Sequence, residues 1–142
     1  MLFPKKAKHR KWQTSREHPR KQLRPDTRGV TVAFGEFGLK AITHKRTMSN
    51  QIEAARRAMS RHMGKMGRSW IRIFPDRPVT KKPSEVKMGK GKGDPFGYAF
   101  DVYPGRIIFE IDGLPEEQAR EALRKAGTKL PFKTKVVARN QV

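Results

Sequence analysis

Apolar residues recur along this chain with two different spacings, and together these spacings limit the folds open to it. Within residues 49–65 and again within residues 113–130 they return every three or four positions, as on one face of an α-helix. Asn50 and Glu53 stand where a capping box would begin the first helix, and Pro115 suits the first turn of the second. The predicted buried faces contain Ile52, Ala55, Ala58, Met59, Met63 and Met66 in the first helix, and Ala119, Ala122, Leu123, Ala126 and Leu130 in the second.

Most of the other apolar residues alternate as in β-strands, over residues 29–41, 70–74, 98–103, 106–111 and 132–139. The parity of the first run changes at Gly35-Glu36, which predicts a β-bulge there. Pro104-Gly105 predicts the turn of a hairpin between residues 98–103 and 106–111. The order of elements favours the α+β class, with a mostly antiparallel sheet and two helices packed on one face.

Charge is the second constraint, because 33 Lys and Arg face only 13 Asp and Glu, a formal net charge of +20. Self-repulsion of this size calls for a polyanionic partner, and nucleic acid is the leading candidate. Residues 1–28 hold ten basic side chains against two acidic ones and show little periodicity. They are predicted to form a basic N-terminal arm that orders on its partner, with Trp12 able to stack on a base, or else a solubilising tail. Residues 29–142 are predicted to form one RNA-binding domain.

Cations and anions are segregated within that domain. Residues 94–122 contain seven acidic and two basic side chains, which predicts a side turned away from an anionic partner. On the first predicted helix, Arg57, Arg61 and Lys65 lie opposite the apolar face, with Arg56 at its margin. Stacked cations of this kind suit phosphate contacts, but the same pattern is equally typical of a solvated helix face.

Residues 75–97 form a long connection, and long connections inside compact domains are usually functional or disordered. Their most unusual part is Met88-Gly89-Lys90-Gly91-Lys92-Gly93. Glycines let backbone N–H groups approach an anion, and the lysines between them add positive charge. The spacing fits neither a Walker loop nor a dinucleotide fingerprint. We interpret the segment as a finger that cradles RNA phosphates, the alternative being a flexible charged linker.

Enzyme chemistry finds no support in the sequence. The absence of cysteine excludes disulfides and thiol catalysis, and the four histidines lack metal-ligand spacing. Asp101 and Glu110 fall on the predicted exposed parity of the hairpin, which indicates a solvated strand face and not a paired-carboxylate site. No run is apolar enough to span a membrane, and the basic start lacks the apolar stretch of a secretory signal. We predict no catalytic residue, metal or cofactor.

The loop block, preceded by Phe74-Pro75-Asp76, closely resembles the bacterial-type large-subunit ribosomal protein sixteen. The likeness extends over nearly the whole chain, through residues 1–6, 34–39, 51–59, 70–76, 81–93, 114–119 and 129–134. Two departures stand out. Lys87 occupies a position that is commonly Arg in the family, and lysine lacks the planar, bidentate contacts of arginine and excludes any arginine-specific modification there. Residues 12–29 match the family poorly.

This resemblance implies a hammerhead-type α+β domain that binds large-subunit ribosomal RNA and has neighbouring ribosomal proteins as partners. It also implies that the loop and arm approach tRNAs at the aminoacyl and peptidyl sites. The implied ribosomal RNA contacts are Lys5, Lys6, Lys8, Arg10, Lys11, Arg56, Arg57, Arg61 and Lys65. The implied contacts of the loop with tRNA and its RNA bed are Arg77, Lys81, Lys82, Lys87, Met88, Gly89, Lys90, Gly91, Lys92 and Gly93.

A cytoplasmic or organellar ribosome is the expected location, without membrane attachment or self-association. The alternative is a free-standing basic RNA-binding protein or ribosome assembly factor.

Overall fold

The computed structural model describes residues 1–14, 20 and 23–141 of the chain. Predictions for residues 15–19, 21–22 and 142, all but the last in the predicted arm, therefore lie outside the described residues. The elements follow one another as β1 (Phe37–Ala41), β2 (Lys45–Met48), α1 (Ser49–Met63), β3 (Arg68–Ile71), β4 (Arg77–Lys81), β5 (Asp94–Val102), β6 (Ile107–Asp112), α2 (Glu116–Gly127) and β7 (Thr134–Ala138), and a 3-10 turn (Arg139–Gln141) comes after them.

The strands of the described residues form two antiparallel sheets. One has four strands in the order β3-β6-β1-β7, and the other has three in the order β2-β5-β4. Helix α2 packs on β1, β6 and β7, while α1 packs against α2 and also touches β2 and β5. The predicted α+β class with two helices is confirmed, although the strands divide between two sheets.

The helical apolar stripes pack as their spacing predicts. In α1 the side chains of Ile52, Ala55, Met59 and Met63 are buried, and every predicted stripe residue of the second helix is buried as well. Met66 was wrongly placed on this face. Helix α1 ends at Met63, Gly64 turns the chain away with φ at 65°, and Met66 is 81% exposed.

The predicted start of α1 is also wrong. Asn50 lies inside the first turn, and the residue that precedes the helix is Met48. The Met48 N–H donates to Oε1 of Gln51 at 2.9 Å, so Gln51 provides the polar contact that the sequence assigned to Glu53. The carboxylate of Glu53 pairs instead with Arg56 and Arg57 in the next turn.

Residues 98–103 and 106–111 do not form the predicted hairpin. Strand β5 belongs to the three-stranded sheet and β6 to the four-stranded one, so the turn at Pro104-Gly105 carries the chain from one sheet to the other. Gly105 allows this turn with φ at 97°. A turn signal between two apolar runs fixes the reversal of the chain but not the partner of either strand.

Residues 29–36 do not form the predicted strand, and residues 32–35 instead lie on the face of the four-stranded sheet that bears Ile107 and Glu110. There Val32 is buried against Ile107 and Val137 in a small second cluster, whereas Phe34 is 57% exposed. The predicted bulge at Gly35-Glu36 is wrong. The irregularity lies where Leu39 and Lys40 pair with Phe109 and Ile107, leaving Ile108 as the extra residue.

Candidate nucleic-acid interface

The predicted loop 75–97 is largely a β-hairpin. Strands β4 and β5 pair from Arg77 opposite Ala99 to Lys81 opposite Asp94, so the irregular part is the tip, residues 82–93. Gly93 closes the neck of this tip, because a Cβ there would lie 2.8 Å from the carbonyl carbon of Lys81. The β4–β5 pairing therefore holds the base of this hairpin, and the tip extends beyond it. We call the hairpin and its tip, residues 77–99, the finger.

The end of the tip has a left-handed backbone over three consecutive residues. The φ angles of Gly89, Lys90 and Gly91 are 96°, 56° and 94°. No atom would lie within 4 Å of a Cβ on Gly89 or Gly91, so backbone conformation and not crowding accounts for these glycines. Open glycines expose backbone N–H groups that an anion can approach closely.

The lysines of the tip divide into two kinds. Lys82 donates from Nζ to the carbonyl oxygen of Gly89, within the tip, and Lys92 donates from Nζ to the carbonyl oxygen of Trp12 in the arm. Lys87 and Lys90 are exposed and pair with no described residue, and Met88 between them is 99% exposed. Two lysines thus hold the finger in shape and two are available to a partner.

Residues 1–14 of the arm run along the hairpin. Leu2 packs against the main core, and the ring of Phe3 meets that of Tyr98 edge-on at 5.9 Å between centroids. Further along, the guanidinium of Arg77 lies 5.8 Å from the ring centroid of Trp12. Lys5, Lys6, Lys8 and Arg10 stay exposed, and Lys11 is half-buried. The arm therefore brings its cations beside those of the finger.

The outer face of α1 joins the same surface through the first residue of the arm. Met1 borders a groove on α1 together with Arg57, Arg61 and Lys129. Lys65 is exposed just beyond the end of the helix. The start of the arm therefore lies beside cations of α1, while Phe3 and Trp12 further along the arm contact the hairpin.

Glu53 occupies two of the helix arginines. Its carboxylate accepts hydrogen bonds from Arg56 at 2.5 and 3.0 Å and from Nε of Arg57 at 3.1 Å. The Arg56 contact lowers the pKa of Glu53 to about 2. Arg57 remains 74% exposed against 38% for Arg56. Arg57 and the exposed Arg61 are therefore better placed than Arg56 to meet a phosphate.

Asp101 was wrongly placed on an exposed strand face. It pairs with Nε of Arg46 at 2.9 Å and with Arg77, and its side chain is only 17% exposed. Because Arg77 also covers Trp12, its guanidinium links the hairpin to the arm. Arg77 is thus a structural contact of the finger, a role that its position in the sequence did not reveal.

Glu110 was predicted to be solvated and is completely buried. Its carboxylate accepts hydrogen bonds from the N–H groups of Ala33, Phe34 and Gly35 at 3.1, 2.6 and 2.8 Å, and from Arg72. Burial by itself raises the pKa of Glu110, but these hydrogen bonds outweigh it and hold the pKa below its usual value. The carboxylate fastens residues 31–35 to the sheet and is not open to a substrate.

Exposed acidic side chains are dispersed over the described residues. They are Glu36, Asp76, Glu85, Asp94, Glu116 and Glu117, of which only the last two lie on α2. Glu116 pairs with Arg120 at 2.7 Å, and Glu121 pairs with Arg124 at 2.7 Å. Across the described ranges, no group of three His, Asp or Glu side chains is arranged to hold a metal ion. No helix in those ranges is long and apolar enough to cross a membrane.

An apolar α+β core with a basic arm, a basic helix face and a lysine-bearing hairpin tip is typical of small RNA-binding proteins. Residues 4–137 match the family model described as ribosomal protein L16p/L10e. Large ribosomal subunit protein uL16 of Albidiferax ferrireducens is 54% identical over 139 residues, which cover 98% of this chain and 97% of that protein. The chain belongs to the ribosomal protein L16p/L10e family, as the resemblance of its motifs indicated. It is a ribosomal protein of the large subunit, and RNA binding and a place in translation follow from the family.

Proposed function

We propose that this protein binds large-subunit ribosomal RNA through its arm and the outer face of α1, and that the tip of its finger reaches the tRNAs at the aminoacyl and peptidyl sites. In this role it helps to organise the tRNA site and is not a catalyst. Family membership supports the ribosomal part and favours it over a free-standing factor. The proposal for tRNA rests on the geometry of the finger.

The observation that carries the proposal is the contrast between the fixed base and the open end of the finger. The base is held by the β4–β5 pairing and by Arg77 between Asp101 and Trp12, and Lys92 ties the adjoining part of the tip to the arm. The end presents Lys87, Lys90 and open glycine backbone to the surroundings. A rigid base under an exposed cationic end suits contact with a ligand that enters and leaves, since little order is lost at each binding event.

Binding along the rest of the surface would be mainly electrostatic. Cations that neutralise phosphates release counterions, which gives affinity without sequence preference. Arg57 and Arg61 on α1 and the lysines of the arm are the residues proposed for this role. The carboxylates of α2 would then face away from RNA.

The test replaces the two free lysines of the finger, Lys87→Ala and Lys90→Ala together, in large subunits assembled with the variant. Both side chains are exposed and unpaired, so folding should be unaffected. We expect weaker tRNA binding at the aminoacyl and peptidyl sites with normal occupancy of the subunit by the variant. Lys133→Ala with Lys135→Ala is the matched control, because it removes the same charge from exposed positions at β7. Equal tRNA affinity in both double variants would contradict the role of the finger.

A further inference from the structure

A cleft of about 400 Å³ lies between the arm and the hairpin, apart from the tip of the finger. Its walls include Phe3 and Arg10 from the arm, and Pro78, Phe96 and Tyr98 from the two strands. The volume falls in the range of roughly 300–1,000 Å³ that small-molecule sites occupy. The cleft is therefore large enough for a single nucleotide.

Three aromatic rings, those of Phe3, Phe96 and Tyr98, border this cleft. Phe96 and Tyr98 both line the cleft from β5, where Phe96 is the extra residue at the irregularity opposite Val79 and Thr80. Pro78 stands directly opposite Tyr98 on β4, and Phe3 meets Tyr98 edge-on. Phe96 is 62% and Phe3 46% exposed. Single exposed aromatics are common on protein surfaces, but two exposed rings that share a cleft with a third are not.

Positive charge surrounds these rings. The ammonium of Lys81 lies 5.3 Å from the ring centroid of Phe96, and the exposed Arg10 lines the cleft from the arm. A protein partner would find two cations beside an apolar surface, whereas a nucleotide offers a ring for the aromatics and a phosphate for the cations. Proteins recognise unpaired RNA bases by this combination of stacking and phosphate contacts.

We propose that this cleft binds one unpaired nucleotide of RNA, with its base against Phe96 and its phosphate at Arg10 and Lys81. This inference rests on the proposed RNA-binding function and adds a site that is selective for unpaired nucleotides. The cations of the arm and α1 meet phosphates of any RNA, but a base can enter the cleft only where it is unpaired. The cleft thus distinguishes a loop or bulge from a continuous helix.

Two kinds of variant separate stacking from charge. Phe96→Leu keeps an apolar side chain of similar size but removes the ring, and it should weaken binding of single-stranded RNA about 5- to 100-fold without changing the dependence of affinity on salt. Lys81→Ala should instead lower the slope of log affinity against log salt by about one. Phe34→Leu is the matched control, since Phe34 is also exposed, at 57%, but stacks on Trp70 of β3 and does not line the cleft.

The probe is a short single-stranded RNA that contains 2-aminopurine, mixed with the full-length protein, beside a duplex of the same length. We expect binding to quench the fluorescence of the single strand, Phe96→Leu to lose the quenching and Phe34→Leu to keep it. Equal, unquenched binding of the single strand by the wild type and Phe96→Leu would overturn the cleft while leaving the RNA-binding function intact. Absence of binding to either RNA would overturn the proposed function as well.

Discussion

Arg72 forms an ion pair with the completely buried carboxylate of Glu110, beneath residues 31–35. Glu110 lies on β6 and Arg72 follows β3, and together they bind the segment that precedes β1. Arg72 also donates to the carbonyl oxygen of Thr31 at 3.2 Å. Residues 31–35 are therefore held to the sheet by the side chains of this ion pair and not by the backbone pairing of a strand.

Replacing Glu110 by Gln should destabilise the protein by about 3–5 kcal/mol, because Arg72 would lose its buried partner and an amide NH₂ would face backbone N–H donors. Urea unfolding measures the change. Glu116→Gln provides the comparison, since it breaks an exposed pair with Arg120, and it should cost less than about 1 kcal/mol. Similar losses in the two variants would show that burial of Glu110 does not matter.

Stability should fall in acid because of the same carboxylate. The folded-state pKa of Glu110 is lowered, so its contribution is fully present above the ordinary pKa of a glutamate and is lost as the pH drops through the folded value. Glu53, with its pKa lowered from 4.5 to about 2, acts in the same direction between those values. Urea midpoints measured from pH 7 to pH 3 should decline in the wild type and decline less in Glu110→Gln. An unchanged pH dependence in the variant would contradict this assignment.

Gly35 and Gly89 should respond differently to alanine. A Cβ on Gly35 would lie 2.5 Å from the carbonyl oxygen of Ile111. Gly35→Ala must therefore push residues 31–35 away from β6, and it should cost about 1–3 kcal/mol. Gly89→Ala meets no neighbour, so only the strain of a left-handed backbone with φ at 96° opposes it, and the cost should be about 1–2 kcal/mol. Thermal or urea unfolding measures the loss of stability in both variants. A larger loss in Gly89→Ala than in Gly35→Ala would refute the packing argument.

The arm should loosen when its tie to the finger is removed. In a Trp70→Phe background the remaining tryptophan is Trp12, whose fluorescence anisotropy reports the mobility of the arm. Lys92→Met removes the donor to the Trp12 carbonyl while keeping the aliphatic chain, and it should lower the anisotropy. Lys90→Met changes an unpaired lysine two residues away and should leave the signal as it was. Equal anisotropy in both would mean that Lys92 does not hold the arm.

Local patterns predicted the two helices and most of their buried residues. A stripe such as Ala119, Ala122 and Leu123 is set by the helical period, and any packing partner would bury it. The open backbone at Gly89 and Gly91 could be predicted because it depends on the glycines themselves and not on distant contacts. The family itself could be recognised from contiguous motifs.

Apart from the two ends of α1, the predictions that failed depended on contacts distant in sequence. Glu110 alternates with apolar neighbours, as a solvated residue on a half-buried strand does, but residues 31–35 cover it from 75 or more positions away. The pairing of Arg77 with Asp101 and Trp12 is equally non-local. A Pro-Gly turn likewise cannot show that β5 and β6 join different sheets. These errors all arise where tertiary contacts override the local pattern.

The most direct test of the proposed function is a structure of the large ribosomal subunit that contains this protein with tRNA bound. We predict that residues 87–93 lie against tRNA and the adjoining RNA, that the arm and Arg57 and Arg61 contact ribosomal RNA phosphates, and that the carboxylates of α2 point away. A subunit in which the finger extends into solvent while α2 faces the RNA would contradict the account.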